Sequence, residues 1–177
     1  EILKPNSPCM LRYLIVFSII VFCGCQNATE DKSKNWITVV EHLKTLDDKQ
    51  LFLEDIYKSV ASSRTASDNA IKMFGYKSDE HLKRKETYII IRDEAFQKID
   101  AYLNTHGYPS VMKLGGIAAY APFFVIQNMD DIKSREKNFT YLYDGYMFGD
   151  VTSDAFYKYL SELYYLDYKK DFLYDPN

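Results

Sequence analysis

Apolar residues recur at three- and four-residue steps through most of the chain after residue 36, a period that predicts helices. Trp36, Val39, Val40 and Leu43 share one face, and Thr45-Leu46-Asp47-Asp48 then supplies a break with capping residues. Leu53, Ile56, Tyr57 and Val60 resume the stripe. The polar run Ser62 to Asn69 predicts a loop, and the weakly periodic stretch around Ile71, Met73 and Phe74, closed by Gly75, predicts irregular structure. Ser78 reads as an N-cap with Asp79 and Glu80 in the first turn, where their charge favours the helix dipole, and opens a long helix to about Asn104. Within it Leu82, Ile89, Phe96 and Leu103 stand seven apart, with Glu86, Asp93 and Asp100 falling on or beside the same face. His106-Gly107-Tyr108-Pro109 ends that helix, because Gly suits the left-handed position past a helix end and Pro blocks continuation.

The segment Gly115 to Ile126 is apolar on every side, as a buried central helix would be, and Pro122 should kink it or mark its first turn. Asp130-Asp131 predicts the start of another helix with Ile132, Phe139 and Tyr143 inward, and Asp144-Gly145 predicts a turn. A last helix follows Thr152, with Phe156, Tyr159, Leu160, Leu163 and Leu166 at helical spacing. No segment alternates strictly enough to predict a strand. The fold class read from the pattern is all-α: a compact multi-helix bundle around a buried central helix, occupying residues 36–177.

Upstream of the bundle the pattern changes. Met10-Leu11-Arg12-Tyr13 is a short basic start, and an apolar run from Leu14 to Phe22 follows it. A spanning helix needs roughly 20 apolar residues, about twice that run, so residues 1–24 read as a signal peptide with its natural start expected at Met10. Phe22-Cys23-Gly24-Cys25 resembles the lipobox of bacterial lipoproteins, although Phe22 stands where Leu is usual and Cys23 where Ala or Ser is usual. That resemblance implies acylation of Cys25. No thiol follows Cys25, so a disulfide within the secreted domain is ruled out. Several acyl chains, at ~0.8 kcal/mol per buried methylene, anchor stably in a bilayer. Residues 25–35 then form the lipidated Cys and a polar tether. With Gln26 rather than Asp after the Cys, the expected address is the bacterial cell envelope, at the outer membrane.

Composition narrows the chemistry. A formal charge of −3 leaves no basic footprint of the kind that phosphate backbones require, so nucleic acid is not an expected partner. No Gly-rich phosphate loop, zinc-helix motif or nucleophile elbow is present, and neither a cofactor nor a metal is expected. His42 and His81 are expected in solvent, and His106 is placed where a cap or a polar site could form. A carboxylate near a core must be paired, so Asp93 and Asp100 call for donors, with Arg64, Arg92 and Arg135 as the available cations. Nine of the sixteen tyrosines lie from Tyr141 onward. Half-buried packing along the last helix is the first expectation for them, and Tyr157, Tyr164, Tyr165 and Tyr168 are the candidates for a protein or glycan interface.

A second resemblance rests on order and spacing. Leu53-x-x-Ile56 through Arg64, then Asp93, Tyr102-Leu103-x-x-His106-Gly107-Tyr108-Pro109, Gly115-Gly116-x-Ala118-Ala119 and Val125-Ile126-Gln127-Asn128 is similar to an uncharacterised helical domain family of bacterial secreted and lipid-anchored proteins. The chain departs from that pattern in having Val60-Ala61 where the family has Asp-Gln, Asn128 where it has His, and no Asp-Arg pair near its end. The resemblance implies a helical fold and a polar site at Arg64, Asp93, His106 and Asn128, but no reaction. Two functional expectations follow: a membrane-tethered, non-catalytic binding module that meets an envelope protein or glycan, or a hydrolase-like or small-molecule site at those four residues.

Overall fold

A computed structural model describes residues 32–169, with side chains placed from Trp36 onward. Met10, Cys25, the apolar run between them and residues 170–177 lie outside the described residues. Eight helices, and no strand, account for the described chain: α1 Lys32–Glu41, α2 Leu46–Phe74, α3 Asp79–His106, α4 Val111–Leu114, α5 Gly116–Gln127, α6 Ile132–Lys137, α7 Phe139–Met147 and α8 Ser153–Tyr168. The bundle is all-α, and no described helix is long and apolar enough to cross a membrane.

The frame is the antiparallel hairpin of α2 and α3, which share the most extensive helix–helix contact. Thr45 and Ser78 cap the two helices with their side chains, and Thr45 and Asp48 form a reciprocal capping box at 3.0 and 3.1 Å. Gly75 and Gly107, both at positive φ, end the helices where the sequence places stops. Between them α2 runs unbroken through Ser62–Asn69, where a loop is expected from polarity. The polar residues of that run include small ones on the inner face: Val60, Ser67 and Ala70 are buried at seven- and three-residue steps, while Arg64, Thr65, Asp68 and Asn69 face out. With neither Gly nor Pro between Leu46 and Phe74, nothing interrupts the helix. Likewise α1 begins at Lys32, so residues 32–35, assigned to the tether from their polarity, are helical.

The inward face of α3 is rotated from the seven-residue line. Leu82 is exposed and Ile89 and Phe96 are half-buried, whereas Arg92, Ala95, Ile99, Tyr102 and Leu103 face the core. Small Ala95 is what lets α3 approach its neighbours, and its weak hydrophobicity hides the true seam. His81, expected in solvent, is only 2% exposed. His42 is exposed, its Nδ1 2.7 Å from the Thr38 carbonyl.

Helix α5 lies against both hairpin helices and buries Ala118, Ala119, Ala121, Pro122, Phe123, Val125 and Ile126. It is central, with Pro122 inside it, but not enclosed: Ile117 and Tyr120 form an open flank where Tyr120 meets Tyr57 and Phe124. Asp131 caps α6 through the Ser134 amide at 2.8 Å. That helix stops at buried Asn138, whose amide reaches Asp100, instead of running through to Tyr143, and Tyr143 itself is exposed. Asp144-Gly145 is not a turn. Gly145 sits inside α7 because the Tyr108 ring presses on it, and a Cβ there would lie 2.7 Å from a ring carbon. The chain turns instead at Phe148-Gly149, and the amides of Asp150 and Val151 both donate to the Gly145 carbonyl.

Part of the aromatic surplus of the last third packs internally, around buried Phe156 and Tyr159. Phe139, Tyr146, Phe156 and Tyr159 form a linked set of rings between α7 and α8, with Tyr146 stacked on Phe156 at 4.7 Å. Burial pushes the hydroxyls of Tyr102 and Tyr159 up to about 12. In each the folded chain favours the neutral phenol, so this contribution is complete below the ordinary value near 10 and is lost as pH rises from there towards 12. Urea unfolding should show stability falling by roughly 1.4 kcal/mol per pH unit per tyrosine across that window, with a shallower slope in Tyr102→Phe. A slope unchanged in that variant would show that Tyr102 ionises as freely in the fold as outside it.

Candidate functional site

Where the α5–α6 corner, α6 and α8 meet the tip-side half of the hairpin, the surface opens into a cleft of about 460 Å³. Helix α2 contributes Arg64, Ser67 and Asp68, α3 contributes His81, Lys85 and Tyr88, the α5–α6 corner contributes Gln127, Asn128 and Asp130, and Arg135 and Glu162 close the far side. Helical spacing explains the α3 wall: His81, Lys85, Tyr88 and Arg92 repeat at four-, three- and four-residue steps along one ridge.

Arg92 underlies this arrangement. Its side chain is 7% exposed, and its Nη1 donates to the Asn128 carbonyl at 3.3 Å and to Asp130 Oδ2 at 2.6 Å. Its Nε and Nη2 both donate to Asp93 Oδ1, at 3.1 and 3.0 Å, and its Cζ lies 5.7 Å from the centre of the Tyr88 ring. Burial opposes the guanidinium charge, but the hydrogen bonds it donates to Asp130 and Asp93, with their negative charges, outweigh burial and hold the group above its ordinary value. Burial also pushes the Tyr88 hydroxyl up, against the pull of Arg92 and Arg64. On the far side Arg135 donates through Nε to the Met129 carbonyl at 2.7 Å and through Nη1 to Glu162 at 3.0 Å, while the Tyr159 hydroxyl donates to the Arg135 carbonyl at 2.9 Å.

Of the four residues singled out from sequence, Arg64 and Asn128 meet directly. Arg64 Nη1 donates to Asn128 Oδ1 at 2.6 Å, and Asn128 Nδ2 donates to the Phe124 carbonyl at 2.7 Å, which fixes the amide orientation. Asp93 stands beside them through Arg92, not through Arg64, and its side chain is 49% exposed at the edge instead of held in the core. The register explains the difference, since Asp93 follows Arg92 and points one helical step away from the buried ridge. His106 is not part of the cleft. Its Nε2 lies 3.1 Å from the Val40 carbonyl and its ring meets Tyr102, so it ties α1 to the end of α3. Asp100, the other acidic residue on the expected face, holds Lys137 at 2.9 Å and Asn138 at 3.2 Å.

His81, Arg92, Lys85 and Asp130 were not assigned to a site from sequence. The polar and aromatic ridge of α3 carried the signal, but the apolar seven-residue line beside it dominated the pattern. Both ring nitrogens of His81 are buried without a hydrogen-bond partner, and the Tyr76 ring meets the imidazole edge-on at 5.1 Å.

The tyrosines selected as an interface divide. Tyr165 and Tyr168 are 51% and 59% exposed, whereas Tyr157 and Tyr164 are half-buried. Tyr164 packs on Tyr168 at 4.7 Å and Tyr157 approaches Tyr146 at 6.2 Å. The charge of Asp167 pushes the Tyr168 hydroxyl up. Tyr165 lines a shallow depression with Ser161, Leu166, Arg135 and Glu162, so the ion pair that closes the cleft also borders the tyrosine surface.

Among the described residues no group of three or more His, Cys, Asp or Glu side chains is placed to hold a metal ion. No family model matches the chain, and neither the curated proteins nor the solved structures contain a detectable match.

Arg92 beneath the cleft and Arg64 at its rim should respond differently to substitution. Arg92→Lys cannot reproduce a buried fork that serves three acceptors, and should cost roughly 1.5 to 3 kcal/mol in urea unfolding. Arg64→Lys, at the exposed rim, should cost less than about 1 kcal/mol. Equal losses would show that the buried guanidinium is not the element that joins α3 to the α5–α6 corner.

Proposed function

We propose that the chain is a lipid-anchored protein of the bacterial cell envelope, held at the outer membrane through acylated Cys25, whose helical domain is a non-catalytic binding module. An envelope protein or a glycan docks along one continuous surface, from the Arg64–Asn128 contact across the cleft to Tyr165 and Tyr168. The observation that carries this reading is the Arg135–Glu162 pair, which borders both the cleft and the tyrosine depression. Such a surface combines what recognition uses: oriented donors and acceptors in a concave region, beside tyrosines that offer apolar area with a polar tip. The hydrolase-like alternative is less well supported, because His106 bonds to Val40 in another part of the bundle and Asp93 is taken by Arg92. The anchor is supported by the lipobox resemblance of Phe22 to Cys25 and by the absence of any later thiol.

Site-specific photocrosslinking in the native envelope tests the docking surface. A benzophenone side chain at Asp68, on the cleft rim, and one at Tyr165 should capture the same molecule, while one at exposed Asn104 should not. Arg135→Ala should reduce capture at both positions. Capture of unrelated molecules at Asp68 and Tyr165, or of the same molecule at Asn104 with equal yield, would contradict the reading. In the same cells an alkyne fatty acid should label the wild type and not Cys25→Ser.

A further inference from the structure

The tip of the α2–α3 hairpin carries an exposed surface that adjoins the cleft and shares only Tyr76 and Lys85 with its lining. Met73, Phe74, Tyr76 and Leu82 all lie there, and each has more than half its area open to solvent. Natural domains seldom leave such side chains gathered at one end without a use for them. The same segment is basic. Lys72, Lys77, Lys83, Arg84 and Lys85 stand against Asp79, Glu80 and Glu86, a local excess of positive charge in a chain whose net charge is −3. Glu80 is taken by Arg84 at 2.8 Å, whereas Lys72, Lys77, Lys83 and Lys85 have no acidic side chain within ion-pair distance among the described residues.

We propose that this tip is a membrane-docking element: Met73, Phe74, Tyr76 and Leu82 enter the interfacial region of a bilayer, and the lysines around them engage anionic lipid headgroups. Lysine suits that role, because its methylene stem lies along apolar surface while its ammonium reaches the headgroup layer. Each lysine near an anionic leaflet contributes roughly fivefold in partitioning.

The path of α1 supports a bilayer over a protein partner. Lys98 Nζ lies 4.5 Å above the Trp36 ring, and the Val40 carbonyl bonds to His106, so α1 runs parallel to α3 with its start directed towards the hairpin tip. Six residues lie between Cys25 and Lys32, and the seven Cα-to-Cα steps reach at most about 25 Å. From Ser59, which faces Trp36 across a shared groove, to Phe74 is a rise of roughly 22 Å along α2. A lipid on Cys25 is thus within reach of the level of the tip. This part of the argument rests on the anchoring reading; the affinity of the tip for an anionic surface does not.

Photocrosslinking to lipid tests the proposal in the full chain, reconstituted in vesicles of phosphatidylcholine with 30% phosphatidylglycerol or of phosphatidylcholine alone. A benzophenone at Phe74 is compared with one at Phe148, a more open ring (82% exposed against 57%) at the opposite end of the bundle, and far-ultraviolet dichroism verifies that each variant is folded. Phe74 should form lipid adducts at least about fivefold more often than Phe148 in the anionic vesicles. Lys77→Gln with Lys83→Gln should lower the Phe74 yield by on the order of twentyfold, as should removal of the anionic lipid. Mass analysis of the segment containing Cys25 reports acylation separately. Acylated chain with equal yields at Phe74 and Phe148 overturns the docking tip and leaves the anchor standing. Unacylated chain with a lysine-dependent Phe74 adduct overturns the anchor and leaves the tip standing. An adduct from Phe74 to a second copy of the chain, in place of lipid, overturns the bilayer as its occupant.

Discussion

A buried guanidinium organises the functional half of this bundle. Arg92 sits on the inner face of α3 where an aliphatic residue would ordinarily stand, and its fork spans from Asp93 on its own helix to the Asn128 carbonyl and Asp130 at the end of α5. A charge in that position is costly to strip of water and is tolerated only when its donors are met. Two of its three acceptors come from the α5–α6 corner, so hydrogen bonds to Arg92 act beside the burial of Met129 in holding that connection. Asn128 and Arg64 then assemble above the Arg92 fork, and the cleft takes its shape from that corner.

The rest of the bundle is stabilised differently. Leu53, Ile56 and Val60 of α2 and Ile99 and Leu103 of α3 meet Phe123, Val125 and Ile126 of α5 in a conventional apolar core. The rings of Phe139, Tyr146, Phe156 and Tyr159 then join α7 and α8 to it. The Tyr159 hydroxyl connects the two regimes by donating to the Arg135 carbonyl, which fixes the residue that closes the cleft. Aromatic packing thus positions part of the polar surface, and an apolar change in α8 can reach the cleft through Arg135.

Helix ends were the most legible features of the chain. Thr45, Ser78, Asp131 and Thr152 each cap as their side-chain chemistry predicts, because a cap is a local interaction between residues three apart. The stripe of α2 was equally plain up to Val60, and beyond it the inner face turns to Ser67 and Ala70, whose small size carries the packing but not the hydrophobic signal. On α3 the same effect misled the reading of faces: Ala95 and Arg92 point inward while Leu82 does not. Gly145 was read as a turn because its neighbour is Asp144, yet its role is clearance for Tyr108, a residue far away in sequence. The resemblance placed Arg64 and Asn128 in one candidate site, but their direct contact has no signature in the sequence, where Asp93 was the expected partner of Arg64. The distance of His106 from that contact, and the burial of His81 near it, depend on how α1 and the hairpin tip fold over, which no local pattern encodes.

The central claim is that Arg92 holds the α5–α6 corner against the hairpin, and with it the cleft through which the chain is proposed to bind. Amide hydrogen exchange of Arg92→Met, compared with the wild type under native conditions, addresses it directly. The account predicts that protection is lost at the amides of Asn128, Met129, Ser134 and Arg135, which close the corner, while the amides along α2 and α3 away from residue 92 keep theirs. Unchanged protection at the corner, or a loss spread evenly over the whole bundle, would contradict it.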